Sequence, residues 1–157
     1  MKIDRRNLMS LLPAVLAQGA LASVVSQASD AQSAPAVDPS KVLPSAVYPY
    51  DSLPVKASAT STGRAILKGK LATGESIEVH ETTLPPGGAP HPPHHHLHTE
   101  MWLVREGTIE VTIEGKAHRI GPGSLAFVKS NEEHGITNPT DKPTSYFVVA
   151  VGPGADA

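Results

Sequence analysis

Residues 88 to 107 hold five of the chain's eight histidines: His91, His94, His95, His96 and His98, with Glu100 following them. Neutral imidazole nitrogen and ionised carboxylate oxygen are the usual ligands of first-row divalent metals, and several together rarely serve packing alone. A bare histidine run can also be a solvated tract that picks up metal loosely. A defined site is argued by a partner far downstream, His134, which lies with Asn138 in the strand-like stretch EEHGITN. Side chains alternate along an extended chain, so His94 and His96 project to one side and His95 to the other. Glu100 opens the next strand on the face that also carries Trp102. The set His94, His96, Glu100 and His134 suits Fe, Mn, Co, Ni, Cu or Zn. In an octahedral site it leaves about two positions free for substrate or dioxygen.

His98 has the same parity as His94 and His96, so a shifted pair, His96 and His98, is the alternative that parity leaves open. The histidines left over, His91, His95 and His98, support the ligands, face solvent or move protons. His98 is the candidate acid or base, because a free imidazole titrates at about 6.5. Trp102 and Asn138 are the candidate pocket residues. Trp102 stacks on a ligand ring or packs in the core, and Asn138 touches ligand or holds the loop after His134. His80 and His118, on other expected strands, read as structural.

These residues need strands to position them, and the chain supplies strands from residue 64 onward. RAILKGKL and SIEVHETTL flank the turn signal ATGE; EMWLVRE, TIEVTIE, AHRI, SLAFV, EHGITN and TSYFVVAV follow, divided by Gly, Pro and Asn turns. Fifteen Pro and thirteen Gly, with no long amphipathic pattern after residue 40, indicate an all-β sandwich or small barrel. In MWLV and YFVVAV both faces are apolar. A barrel buries one face of each strand, so the other needs a cover: the N-terminal arm or a second subunit. On this ground a homodimer is expected.

The absence of cysteine excludes disulfides, thiolate catalysis and cysteine-held metal. A formal net charge of −2, without a basic block, gives nucleic acid nothing to bind. Residues 1–28 read as an export signal: Lys2, Arg5 and Arg6 precede an apolar run from Leu8 to Val25 and small residues at Ser26-Gln27-Ala28. Pro13, Gln18 and Gly19 make that run a poor stable membrane anchor. Adjacent Arg5 and Arg6, with Leu8 two places on, resemble the twin-arginine signal family, which implies a periplasmic or secreted protein; Asp4 departs from that family's usual Ser or Thr. Residues 29–60 read as a linker and an arm covering a sheet edge, and residues 61–157 as the barrel domain.

The histidine stretch resembles the first motif of the cupin family, G-x5-H-x-H-x3-E-x6-G, through Gly88, His94, His96, Glu100 and Gly107. The end of the second motif, G-x5-7-P-x-G-x2-H-x3-N, is matched by His134 and Asn138. Lys129 stands where that motif has Pro and Asn131 where it has Gly, so the loop before His134 departs from the pattern. The resemblance covers about residues 64 to 152. It implies a double-stranded β-helix, or jelly-roll barrel, with a divalent metal at one mouth, Fe or Mn before Ni, Co, Cu or Zn. Cupins include dioxygenases, isomerases, decarboxylases and lyases, and also storage and sugar-binding proteins. The expectation is therefore a small exported metalloenzyme acting on a small organic molecule; the alternative is a non-catalytic binder of metal or a small ligand.

Overall fold

The computed structural model describes residues 37–157; the expected export signal over residues 1–28 lies outside them. Nine strands alternate with turns: β1 Val55–Ala57, β2 Thr62–Lys70, β3 Ser76–Leu84, β4 Thr99–Glu106, β5 Ile109–Ile113, β6 Lys116–Ile120, β7 Leu125–Val128, β8 His134–Thr137 and β9 Thr144–Val151. The helical pieces are two single turns of 3-10 helix, Pro39–Lys41 and Tyr50–Ser52. Every strand pairing is antiparallel. The larger sheet runs β1-β2-β3-β9-β4-β7 and the smaller runs β6-β5-β8. This is the jelly roll that the strand pattern and the histidine motif imply.

The core lies between the two sheets. Trp102 and Val104 of β4, Ile109 and Val111 of β5, Val128, Ile136, Tyr146, Val148 and Leu84 are all buried there. They occupy alternate positions on their strands, as a pleated strand with one face on a core requires. β5 and β6 meet at Glu114-Gly115, where both residues take positive φ (46° and 74°) and Ile113 pairs with Lys116. That is the twist two-residue hairpins favour. Gly107 joins β4 to β5 at φ 75°, and a Cβ there would stand 2.8 Å from Thr144 Oγ1.

The arm covers its own subunit. β1 pairs along β2, and Leu43 N–H donates to Lys70 O on the same strand. Tyr50 lies between two guanidinium groups, 4.5 Å from Arg64 and 3.9 Å from Arg105, and Arg64 Nη1 donates to Leu53 O. The arm thus bridges β2 and the end of β4. It leaves uncovered the outer apolar face where β4 meets β7. Leu103, Leu125 and Phe127 are 42%, 57% and 56% exposed there, Leu103 opposite Leu125 and Met101 opposite Phe127. Among the described residues, nothing covers the second apolar face of MWLV.

Gly107→Ala is expected to cost about 2–4 kcal/mol, from the left-handed backbone and the collision with Thr144 together. Urea unfolding measures it; a change below about 0.5 kcal/mol contradicts the account.

Candidate metal centre

The site is assembled from two segments that the barrel brings side by side. His94 and His134 form an antiparallel bridge in which each N–H donates to the other's carbonyl, both at 2.9 Å. Their rings stand 4.7 Å apart, and His96 is 4.7 Å from His134. Nitrogen donors of His94, His96 and His134 lie within 4.8 Å of one another, and so do donors of His96, His98 and Glu100. Glu100 reaches into both sets: its Oε1 is 3.4 Å from His96 Nε2 and 3.5 Å from His98 Nε2, and its Oε2 is 3.6 Å from His134 Nε2. The structure thus groups His94, His96 and His134 in one donor set and His96, His98 and Glu100 in another, with Glu100 beside His134 as well, and the His98 ring stacks on His96 at 3.5 Å.

Local bonds aim the rings. His96 Nδ1–H donates to His98 O, and His134 Nδ1–H donates to Glu132 O. Each bond fixes a tautomer and leaves Nε2 free, the arrangement second partners give to metal-binding imidazoles. His134 Nε2, His96 Nε2 and His94 Nδ1 are buried without any hydrogen-bond partner. Buried polar atoms are nearly always paired, so three orphaned imidazole nitrogens beside one carboxylate fit a cation. Nitrogen and oxygen at about 2.0–2.2 Å from an ion are the donors Zn²⁺, Mn²⁺ or Fe²⁺ accept.

The loop before His134 departs from the cupin pattern, and the structure shows how it keeps its path. Asn131 takes φ 63°, a left-handed conformation that Asn tolerates better than other residues bearing a Cβ. Its N–H donates to His96 O at 2.8 Å. At the β5–β6 hairpin, Glu114 N–H donates to Glu133 O at 2.9 Å, and Glu114 Oε1 accepts Glu133 N–H at 2.8 Å. Lys129 pairs with Glu132 at 2.9 Å.

A cavity of about 290 Å³ opens beside the cluster, bordered by His80, Thr82, His91, Glu100, Trp102, His134, Ile136, Tyr146 and Val148 among others. Trp102 is both core and cavity wall, with its ring 5.4 Å from that of His134. His95 is exposed, on the side away from His94 and His96, and His91 stands edge-on to His94 at 4.2 Å. One expectation is corrected. Asn138 is not a pocket residue. It is 1% exposed, its Nδ2 donates to the carbonyls of Leu84, Pro85 and Lys142, and its Oδ1 accepts from Thr140. It clamps the end of β3 to the β8–β9 loop. His80 borders the cavity, and its Nδ1 lies 2.8 Å from Glu78 Oε2. The missed signal was alternation in SIEVHETTL, which sets Glu78, His80 and Thr82 on one face. His118, on β6, is exposed.

Burial holds the His94 imidazole below its ordinary pKa, helped by the cationic forms of His91, His134 and His96 and opposed by Glu100. Burial and His96 act likewise on His98. Burial pushes the Tyr146 hydroxyl up, so it stays neutral.

Residues 80–150 match the family described as Cupin domain. The chain is 36% identical over 77 residues to an L-ectoine synthase from Bordetella petrii, covering 48% of this chain and 56% of that protein. It is 31% identical over 76 residues to a mannose-1-phosphate guanylyltransferase from Escherichia coli, again 48% of this chain but 16% of that one. The chain thus spans only part of the length of the curated relatives it matches. Among solved structures, an RmlC-like cupin from Shewanella frigidimarina superposes with a TM-score of 0.59 at 17% identity, over 71% of this chain and 96% of that one. A predicted oxalate decarboxylase from Thermotoga maritima gives 0.58 at 18%, over 68% and 99%. At such identities these two establish the fold.

Two outcomes follow from this geometry. Asn138→Ala is expected to cost about 2–4 kcal/mol in urea unfolding, because it strands several carbonyls, while the metal bound per chain stays unchanged. For the metal-free protein, a lowered imidazole pKa means that the unfolded chain binds more protons below its own value of about 6.5. The His94 and His98 contributions are therefore fully present above that pH and decline as pH falls through it. A urea midpoint that does not fall on acidification from pH 7.5 to 5.5 contradicts this.

Proposed function

We propose that this chain is a small metal-dependent cupin enzyme that holds one divalent ion, Fe or Mn, through His94, His96, Glu100 and His134 and acts on a small organic substrate. The observation that carries the reading is one donor set of three partnerless buried imidazole nitrogens, those of His96 and His134 within 3.6 Å of Glu100. A bound ion supplies Lewis acidity or a dioxygen-binding position. The chain's own residues do the rest: Trp102, Val148 and Ile136 give the cavity an apolar wall that sheds water, and His98 stands beside Glu100 as a group able to take or return a proton. The name of the ectoine synthase relative is consistent with small-molecule chemistry, while the reaction class here, dioxygenase, lyase or isomerase, is for assay to decide.

A second reading, a non-catalytic binder of metal, is favoured by one observation: the two donor sets overlap through His96, so His98 competes with the assigned ligands. Metal stoichiometry separates the two. Elemental analysis of natively expressed protein is expected to give one Fe or Mn per chain, and His134→Ala to lose it. Several weakly held ions per chain point to the binder, and copper or zinc alone counts against the choice of Fe or Mn.

Two companion proposals complete the picture. Residues 1–28 direct export by the twin-arginine route, which allows folding and metal loading before the chain meets copper and zinc, the stronger competitors for such donors. Recovery of the full-length chain in the cytoplasm alone sinks this. The exposed apolar face of Leu103, Leu125 and Phe127 docks against a second copy. Light scattering is expected to report a dimer for the wild type and a monomer for Phe127→Glu; a wild-type monomer overturns it.

A further inference from the structure

The cavity has a polar wall opposite the metal cluster that the proposed chemistry leaves unused. Register places it. Glu78 pairs with Ala150, which pairs with Glu100; His80 pairs with Val148, which pairs with Trp102; Thr82 pairs with Tyr146. Cross-strand partners point to the same face, so Glu78, His80 and Thr82 share the inner face with Glu100 and Trp102. They stand two strands away, about 9.6 Å at a spacing of ~4.8 Å. Ala150 and Val148 between them are too small to fill that gap. His80 Nδ1 is engaged by both oxygens of Glu78, at 2.9 and 2.8 Å, so Nε2 is the nitrogen left for a ligand. It accepts a hydrogen bond in the neutral ring and donates one in the imidazolium. Thr82 and Tyr146 add two hydroxyls to the same wall, among Trp102, Val148 and Ile136.

We propose that His80, held in place by Glu78, recognises the hydroxyl or carbonyl at the far end of a short carboxylate ligand whose carboxylate sits at the metal cluster. This rests on the metal reading above. A divalent ion with three neutral imidazoles and one carboxylate keeps a net charge of +1, which an anionic oxygen ligand neutralises. The cavity, at about 290 Å³, holds roughly ten water volumes of ~30 Å³. A short hydroxy- or oxo-acid matches that space. The Thr82 and Tyr146 side chains already hydrogen-bond each other, so an apolar tail of equal length would leave His80 Nε2 without a ligand partner, which is how a polar group in a pocket wall disfavours an apolar isostere. His80 is here the specificity-determining residue and Glu78 its positioning residue.

The test uses the full chain loaded with zinc and two isosteric probes, 4-hydroxybutyrate and pentanoate, titrated by calorimetry and by NMR of the His80 Cε1–H resonance. Wild type is expected to prefer the hydroxy acid by about tenfold. His80→Leu should remove that preference without changing zinc content or pentanoate affinity, and Glu78→Gln should reduce it. A merely structural role would weaken both probes alike. An unchanged ratio in His80→Leu, or no preference in the wild type, overturns the proposal. Should His80→Leu fail to fold, the wild-type spectrum decides: the His80 resonance must move with 4-hydroxybutyrate and not with pentanoate. If no zinc is retained, the metal reading fails separately, and the same resonance followed in the zinc-free chain still decides, a still signal overturning the role of His80.

Discussion

The pair of backbone hydrogen bonds between His94 and His134 is the constraint on which the site depends. It ties a proline-rich approach loop to the start of β8, two segments with nothing in common along the chain. A single antiparallel bridge sets the separation of their side chains at that of cross-strand neighbours. Three imidazoles can then face one carboxylate only because β4 delivers Glu100 from the opposite sheet. The barrel thus trades ordinary core packing at one mouth for polar atoms that no protein group satisfies. Such atoms are costly when left unpaired, a cost that a bound cation would offset.

Around this bridge the chain adds rigidity from several directions. The carbonyls of His98 and Glu132 set the tilt of His96 and His134, and Asn131 fastens the preceding loop to the backbone of His96. Glu114, in the left-handed hairpin between β5 and β6, reaches the same loop from the smaller sheet. Asn138 anchors the chain beyond His134 to the end of β3. The ligand-bearing loops are therefore tied on both sides of His134 to strands of both sheets, and a site placed this way is pre-organised rather than assembled by the ion. The arm acts at the opposite edge: Tyr50 between Arg64 and Arg105 closes the β2 edge, which an unprotected sheet leaves open to wrong pairing.

Much of this was legible beforehand because strand periodicity and metal chemistry are both local. A period of two put His94 and His96 on one side and His95 on the other. The same period gave the alternating core of β5, and turn residues marked nearly every strand boundary. The short β1 was not legible: Val55–Ala57 has neither length nor alternation, and it is a strand only because β2 offers an unpaired edge. Asn138 was placed on both sides of a choice between pocket and loop, since an amide serves either; the positions of the Leu84, Pro85 and Lys142 carbonyls decided it.

By itself the sequence determined the all-β character, the donor types and the parity of the ligands, because each follows from residue identity and the geometry of an extended chain. It also determined that any metal must be held by nitrogen and oxygen. Only the tertiary structure decided that His98 joins His96 beside Glu100, that His80, bonded to Glu78, borders the cavity from two strands away, and that the described residues leave one apolar face bare. Those facts depend on which strands become neighbours and in what register. Register is fixed by pairings between distant segments, which no local pattern encodes.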